Sequence, residues 1–189
     1  TSLTVTPTLS NPNATVTVNS AIVASGSASG PIALSPGPNT IVVQVRAQDG
    51  VTLKTYTVNV TRQASPVATL EGLALSSGTL SPAFASATTG YAATVPNMTE
   101  TLQLTPTLTS SLATVTVNGA PVPSGSPSGA INLNAGSNVI TVVGTAEDKV
   151  TKKTYTVTVT RTAALATVTT EAATGILATS AVLHGTINA

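Results

Sequence analysis

The sequence predicts an all-β chain made of tandem antiparallel β-sandwich domains. Three observations predict this fold class: apolar and polar residues alternate, turn motifs separate the alternating runs, and one block of sequence occurs twice. Charged residues make up 7% of the 189 residues, well below the roughly 25% of a typical soluble domain. The predicted surface is therefore polar, rich in Thr, Ser and Asn, and carries few charges.

The duplication is long enough to be a whole domain. Residues 3–62 align with residues 102–161 without a gap, and most paired positions are identical. The strand KTYTVNVTR at residues 54–62 returns as KTYTVTVTR at residues 153–161. Solenoid repeats are shorter, with roughly 20–50 residues. We predict three domains, at residues 1–63, 64–163 and 164–189.

The strands of each copy follow from strict alternation, because successive side chains of a strand point to opposite faces. Tyr56, Val58 and Val60 are predicted to face inward between polar neighbours. The same phase places three other groups of residues inward: Val16 and Val18; Ile41, Val43, Val45 and Ala47; Leu102, Leu104, Pro106 and Leu108. Turn motifs such as SPGPN and QDG separate these runs. Gly144 takes the place of Val45 in the second copy, which predicts a bulge or a close backbone contact.

The two copies are unequal at their beginnings. Residues 67–100 precede the second copy and would supply it with further strands, whereas the first copy has no counterpart within this chain. Loss of five or six inward side chains costs on the order of 10 kcal/mol, which is comparable to the net stability of a domain. We therefore predict an open edge and core in the first copy at three residues: Leu3, Val5 and Leu9. Three residues of the tail mark candidate donor strands: Val168, Val182 and Leu183.

Two explanations of this imbalance remain open. In one, the chain is a window cut from a longer tandem protein, and neighbouring domains close the first copy. In the other, the partner is a second copy of the chain, and the tail strands of one subunit complete the head of the next. A head-to-tail contact of that kind generates a fibre when it does not close on itself.

The middle of the chain resembles a known repeat. LEGLALSSGTLSPAFASATTGYAATVPN at residues 70–97, followed by ATVTVNG, INLNAGSNVITVV and KTYTVTVTR, resembles the bacterial Ig-like, cadherin-like β-sandwich repeat of large secreted and surface proteins. The duplication extends the resemblance to the first 62 residues. It implies an extracellular or cell-surface location and brings no catalytic motif. The tail at residues 166–189 is similar to the first two strands of a fibronectin type III-like domain.

The residues that carry chemistry are few and scattered. His184 is the only histidine and cysteine is absent, so a catalytic base or a metal ligand would lack companions. Asp49 and Asp148 fall at matched hairpins, where turn chemistry explains an aspartate better than a calcium site with six to eight oxygen ligands. We predict no enzymatic activity and no cofactor. Three tyrosines share the phase of the apolar residues and are interpreted as core anchors: Tyr56, Tyr91 and Tyr155.

The predicted function is structural. The sequence has no basic stripe for nucleic acid and no apolar run near the roughly 18 residues that a membrane span needs. We expect a stalk, spacer or filament subunit of a bacterial extracellular or surface protein. The alternative is an adhesin or carbohydrate-binding module with a glycan partner, which a glycan array would distinguish. A noncatalytic portion of a large secreted hydrolase is a third class.

Overall fold

The computed structural model describes residues 1–188, and these residues form strands and turns without any helix. They divide into two compact units, and the division falls between Ser65 and Pro66. The predicted all-β sandwich fold is confirmed. Because the described part of the chain has no helix, it has none that is long and apolar enough to cross a membrane.

The first unit contains one four-stranded sheet and one short two-stranded sheet. Its strands are β1 (Ser2–Leu3), β2 (Thr15–Val18), β3 (Ala21–Val23), β4 (Ile32–Ala33), β5 (Gly37–Arg46) and β6 (Leu53–Arg62). The larger sheet has the order β3-β2-β5-β6, so β6 is an edge strand, and β1 pairs with β4. All of these pairs are antiparallel.

The second unit repeats this arrangement and adds strands to it. Its strands are β7 (Leu70–Leu75), β8 (Gly90–Val95), β9 (Thr101–Leu102), β10 (Leu104–Leu108), β11 (Thr114–Val117), β12 (Ala120–Val122), β13 (Ile131–Asn132), β14 (Gly136–Thr145), β15 (Lys152–Arg161), β16 (Thr167–Thr174) and β17 (Val182–Asn188). The main sheet has the order β12-β11-β14-β15-β8, β10 pairs with β7, and β13 pairs with β9. Strands β16 and β17 form a separate antiparallel hairpin.

One strand pair differs from the antiparallel pattern. Strand β8 lies parallel to β15, with Gly90 opposite Thr156 and Val95 opposite Arg161. Parallel neighbours need a long crossover connection, and here the whole repeated block from β9 to β14 supplies it. Alternation along a strand shows which side chains face inward, but it carries no information on the direction of a neighbouring strand.

The core follows the predicted alternation in the second unit and in β2 and β5 of the first, but not along most of β6. The buried core of the first unit is formed by Val16, Val18, Val23, Ile41 and Val43, and Val45 packs against it. The core of the second unit is larger and includes the predicted inward residues of β10 together with residues of β7 and β8. Its most deeply buried members include Leu70, Val95, Leu102, Leu104, Ile140, Val142, Tyr155, Val157 and Val159. The additional strands therefore enlarge the core as well as the sheet.

The predicted boundary between the second and third domains remains a prediction. The tail hairpin lies in the same compact unit as the second sandwich. Its two strands alone do not distinguish a fibronectin type III-like domain from another β-hairpin. Ala189, the last residue of the predicted domain at 164–189, lies outside the described residues.

At two matched hairpins, one unit has a residue with a side chain at a positive φ where the other unit has glycine. Ser20 has a φ of 69°, where the second unit has Gly119, and Lys149 has a φ of 61°, where the first unit has Gly50. A left-handed conformation costs a residue with a Cβ about 1–2 kcal/mol, part of which glycine loses again through its freer unfolded state. We expect Ser20→Gly to stabilise the first unit, and Lys149→Gly the second, by about 0.5–1 kcal/mol each.

Native-state hydrogen exchange followed by mass spectrometry measures this effect unit by unit. The reverse change, Gly119→Ser, is the matched control and should destabilise the second unit. A stabilising effect of Gly119→Ser would contradict the assignment of strain to these two turns.

Candidate strand-acceptor groove

The first unit has an open edge along residues 5–9, the stretch that matches β10. One side of this stretch is held by the loop at residues 25–29: the Val5 amide donates to Ser29 Oγ at 3.0 Å, and the Gly26 amide donates to the Pro7 carbonyl at 2.8 Å. The matched groups in the second unit make the same bonds. The hydrogen-bonding groups of successive residues in extended backbone point to alternate sides. The backbone N–H and C=O groups of Thr6 and Thr8 therefore point to the opposite side, which β7 occupies in the second unit.

Beside this edge lies a groove of about 270 Å³, which we call the acceptor groove. It is lined by Pro7, Leu9, Val43, Val45 and Tyr56. In the second unit, the counterparts of Leu9, Val43 and Tyr56 belong to a core that also contains Leu70 and Leu73 of β7. The acceptor groove is therefore the first unit's counterpart of the space that β7 fills in the second.

The exposure of β6 shows the effect of the missing cover. Tyr56 is 48% exposed and Val58 is 40% exposed, whereas Tyr155 and Val157 are fully buried. The prediction of a core anchor is confirmed for Tyr91 and Tyr155. It is wrong for Tyr56, because the strands that cover its twin have no counterpart in the described residues of the first unit.

Residues 67–100 bind the second unit through hydrogen bonds as well as apolar contacts. The Leu70 amide donates to the Tyr155 hydroxyl at 3.0 Å, and this hydroxyl donates to the Ser86 carbonyl at 3.2 Å. Arg161 Nε donates to the Asn97 carbonyl at 2.8 Å. The segment therefore satisfies polar groups of β15 in addition to covering its apolar face.

The structure places the three predicted edge residues in different surroundings. Leu3 lies in β1 and pairs with Ile32 of β4. Val5 and Leu9 lie in the extended stretch beside the acceptor groove, and all three side chains pack against the core of the first unit. Of the three, Val5 and Leu9 therefore belong to the edge that β7 covers in the second unit.

The candidate donor residues lie together in the tail hairpin but not on one face. Val168 pairs with Ile187, so Val168, Leu183 and Ile187 share one face, and Val182 lies on the other. Leu183 is 85% exposed and Val168 is 66% exposed. The hairpin thus presents an apolar face in the described residues, and its role as a donor remains a prediction.

The other residues that carry chemistry have structural surroundings. The carboxylate of Asp148 accepts bonds from the Val150 and Thr151 amides at 2.9 and 2.8 Å and from the Thr151 hydroxyl at 2.6 Å. The Thr151 hydroxyl and these amides hold the pKa of Asp148 below its ordinary value. Asp49 makes the same bonds, and chiefly the Thr52 hydroxyl lowers its pKa. The predicted turn role of both aspartates is confirmed.

His184 lies in the tail hairpin, where its Nε2 is 2.7 Å from the Thr174 hydroxyl. Glu171 is opposite His184 in the strand register. Within residues 1–188, no three His, Cys, Asp or Glu side chains form a group that could hold a metal ion. The acceptor groove is therefore the candidate functional site.

Two sandwich units, one of which presents an open edge, define a class of modular β-sandwich proteins. The model of the family described as "Cadherin-like beta sandwich domain" matches residues 1–63 and 72–162. The chain belongs to this family. Its domains are structural or adhesion-type modules.

The chain is also similar to a longer protein of Evansella cellulosilytica named "Putative membrane protein". The two are 43% identical over 65 residues, which is 34% of this chain and 10% of the relative. The match therefore spans a tenth of that protein's length.

Proposed function

We propose that the chain is a structural segment of a bacterial extracellular or surface protein, acting as a stalk, spacer or filament subunit. Its first sandwich is completed by a two-stranded segment with the pattern of residues 67–100. One observation carries this proposal: the acceptor groove and the β6 edge of the first unit match positions that β7 and β8 cover in the second. Membership of the family and the name of the relative support the surface setting.

The architecture suits a mechanical role. Strands β5 and β6 each have 10 residues and pair along their whole length, as do β14 and β15. Such ladders share a load over many hydrogen bonds. An open β6 edge would be a weak point in a stalk, because unpaired strand edges recruit other strands. Completion of the first unit removes that weak point.

The occupant must supply two strands to two different sheets. In the second unit, β7 pairs with β10, whereas β8 pairs with β15 in the main sheet. The tail hairpin suits this task poorly, because β16 and β17 are bonded to each other in one sheet. We therefore assign the acceptor groove to a segment like residues 67–100 rather than to the tail hairpin.

The connection supports a segment in the same polypeptide. Strand β8 ends at Val95 and β9 begins at Thr101, so only a short link separates the covering strand from the repeated block. A short link gives the covering segment a high effective concentration at its groove.

A fusion tests the proposal. Residues 69–99 are joined to Thr1 of the full chain, so that each fused residue stands in the register of the second unit. The readout is the Thr57 amide, because the amide of its twin Thr156 donates to the Thr89 carbonyl at 2.7 Å. We expect exchange of the Thr57 amide to slow at least about tenfold, equivalent to about 1.4 kcal/mol of added protection.

The matched control is the same fusion with Leu70→Asp and Leu73→Asp in the fused copy. In this variant, the Thr57 amide should exchange at the same rate as in the unfused chain. Equal exchange in the fused and unfused chains would contradict the proposal. If deletion of residues 166–189, rather than the fusion, abolished self-association in size-exclusion chromatography, the tail of a second copy would be the occupant.

A further inference from the structure

Strands β5 and β14 are twins that differ at one position with steric consequences. Gly144 pairs with Val115, and Val45 pairs with Val16 in the same register. A Cβ atom at position 144 would lie 2.1 Å from the Ala68 carbonyl oxygen and 3.2 Å from the Ala68 carbonyl carbon. The chain just ahead of β7 therefore crosses β14 at a distance that only glycine permits.

The first unit has a side chain where this approach would occur. Val45 is half-buried, packs against the core of its unit and lines the acceptor groove. A covering segment that followed the path of Ala68 would meet the Val45 Cβ at less than any normal contact distance. A segment that begins at the position after Ala68, or turns away there, would avoid the collision and keep the rest of β7.

We infer that Val45 is a specificity-determining residue of the acceptor groove, which admits a covering strand that avoids the Ala68 position and rejects one that follows it. This inference rests on the proposed function and deepens it. Most paired positions of the two repeated blocks are identical, so a covering segment risks closing the wrong unit. Val45 in one unit and Gly144 in the other make the two grooves distinguishable. On the path that they take in the second unit, residues 66–75 fit Gly144 but would collide with Val45 of the first unit.

Two fused segments in two backgrounds test the inference. The full chain carries either residues 66–99 or residues 69–99 ahead of Thr1, with Val45 or with Val45→Gly. We expect the Thr57 amide to exchange at least tenfold faster with the longer segment than with the shorter one when Val45 is present. In the Val45→Gly background, the two segments should protect Thr57 equally.

The comparison of segments within one background cancels any intrinsic effect of Val45→Gly on β5. Val45→Ala serves as a second variant: it removes two methyl groups but keeps the Cβ, so the longer segment should still protect less. Equal protection by both segments in the Val45 chain would overturn the inference while leaving the proposed function intact. Failure of both segments in every background would overturn the proposed function and this inference with it.

Discussion

Replacement of Gly144 by valine is expected to destabilise the second unit by about 3 kcal/mol, the upper end of the usual cost of overpacking a core. The new Cβ would lie 2.1 Å from a backbone oxygen rather than from a movable side chain. The Leu108 side chain also lies close, with its Cδ2 3.7 Å from the Cβ position. Either β14 or the segment around Ala68 has to shift. Ala68 is itself buried, with an exposed fraction of 3%.

Native-state hydrogen exchange of the β14 and β15 amides measures the loss. The Gly90→Ala variant is the control, because a Cβ at position 90 of the same sheet meets no atom within 4 Å. Val45 shows that the strand itself tolerates valine at this position of the ladder. A wild-type exchange pattern in Gly144→Val would contradict the close approach of Ala68.

Much of the fold was predictable because the alternation is strict. The inward phase of β10 and β14 follows from period two, and the duplication transfers it from one unit to the other. Gly144 also gave a local signal, since glycine inside an apolar alternation indicates a bulge or a close contact. The structure shows the close contact, with a continuous ladder through Gly144. Its partner, Ala68, is distant in sequence, and no local pattern could identify it.

The acceptor groove was predictable in outline but not in detail. The absence of a counterpart to residues 67–100 indicated an open core, and Val5 and Leu9 lie beside the groove. The exposure of Tyr56 was missed because Tyr56 has the same phase in its strand as Tyr155. The phase shows which face of the sheet a side chain lies on, but not whether other strands pack over that face. The difference between Val45 and Gly144 is visible in the sequence, but its meaning depends on the path of a strand in three dimensions.

Truncation of the matched tyrosines should separate the two units most clearly. Removal of a buried aromatic side chain costs about 3–5 kcal/mol, and we expect Tyr155→Ala to destabilise the second unit by this amount. Tyr155 is fully buried, lies against Phe84 with the two rings tilted and their centroids 6.3 Å apart, and bridges the Leu70 amide and the Ser86 carbonyl. Its loss leaves a cavity and leaves the buried Leu70 amide without its hydrogen-bond partner.

The same change at Tyr56 should cost about 1–2 kcal/mol, because a half-exposed ring loses less burial. Tyr155→Phe is the finer variant: it keeps the ring and removes the hydroxyl, at an expected cost of about 1–3 kcal/mol for the unsatisfied Leu70 amide. Tyr56 should also respond to closure of its groove, so Tyr56→Ala should become more costly in the chain fused to residues 69–99. If Tyr56→Ala and Tyr155→Ala destabilised their units equally in the unfused chain, the acceptor groove would already be filled, and the open edge on which the proposal depends would not exist.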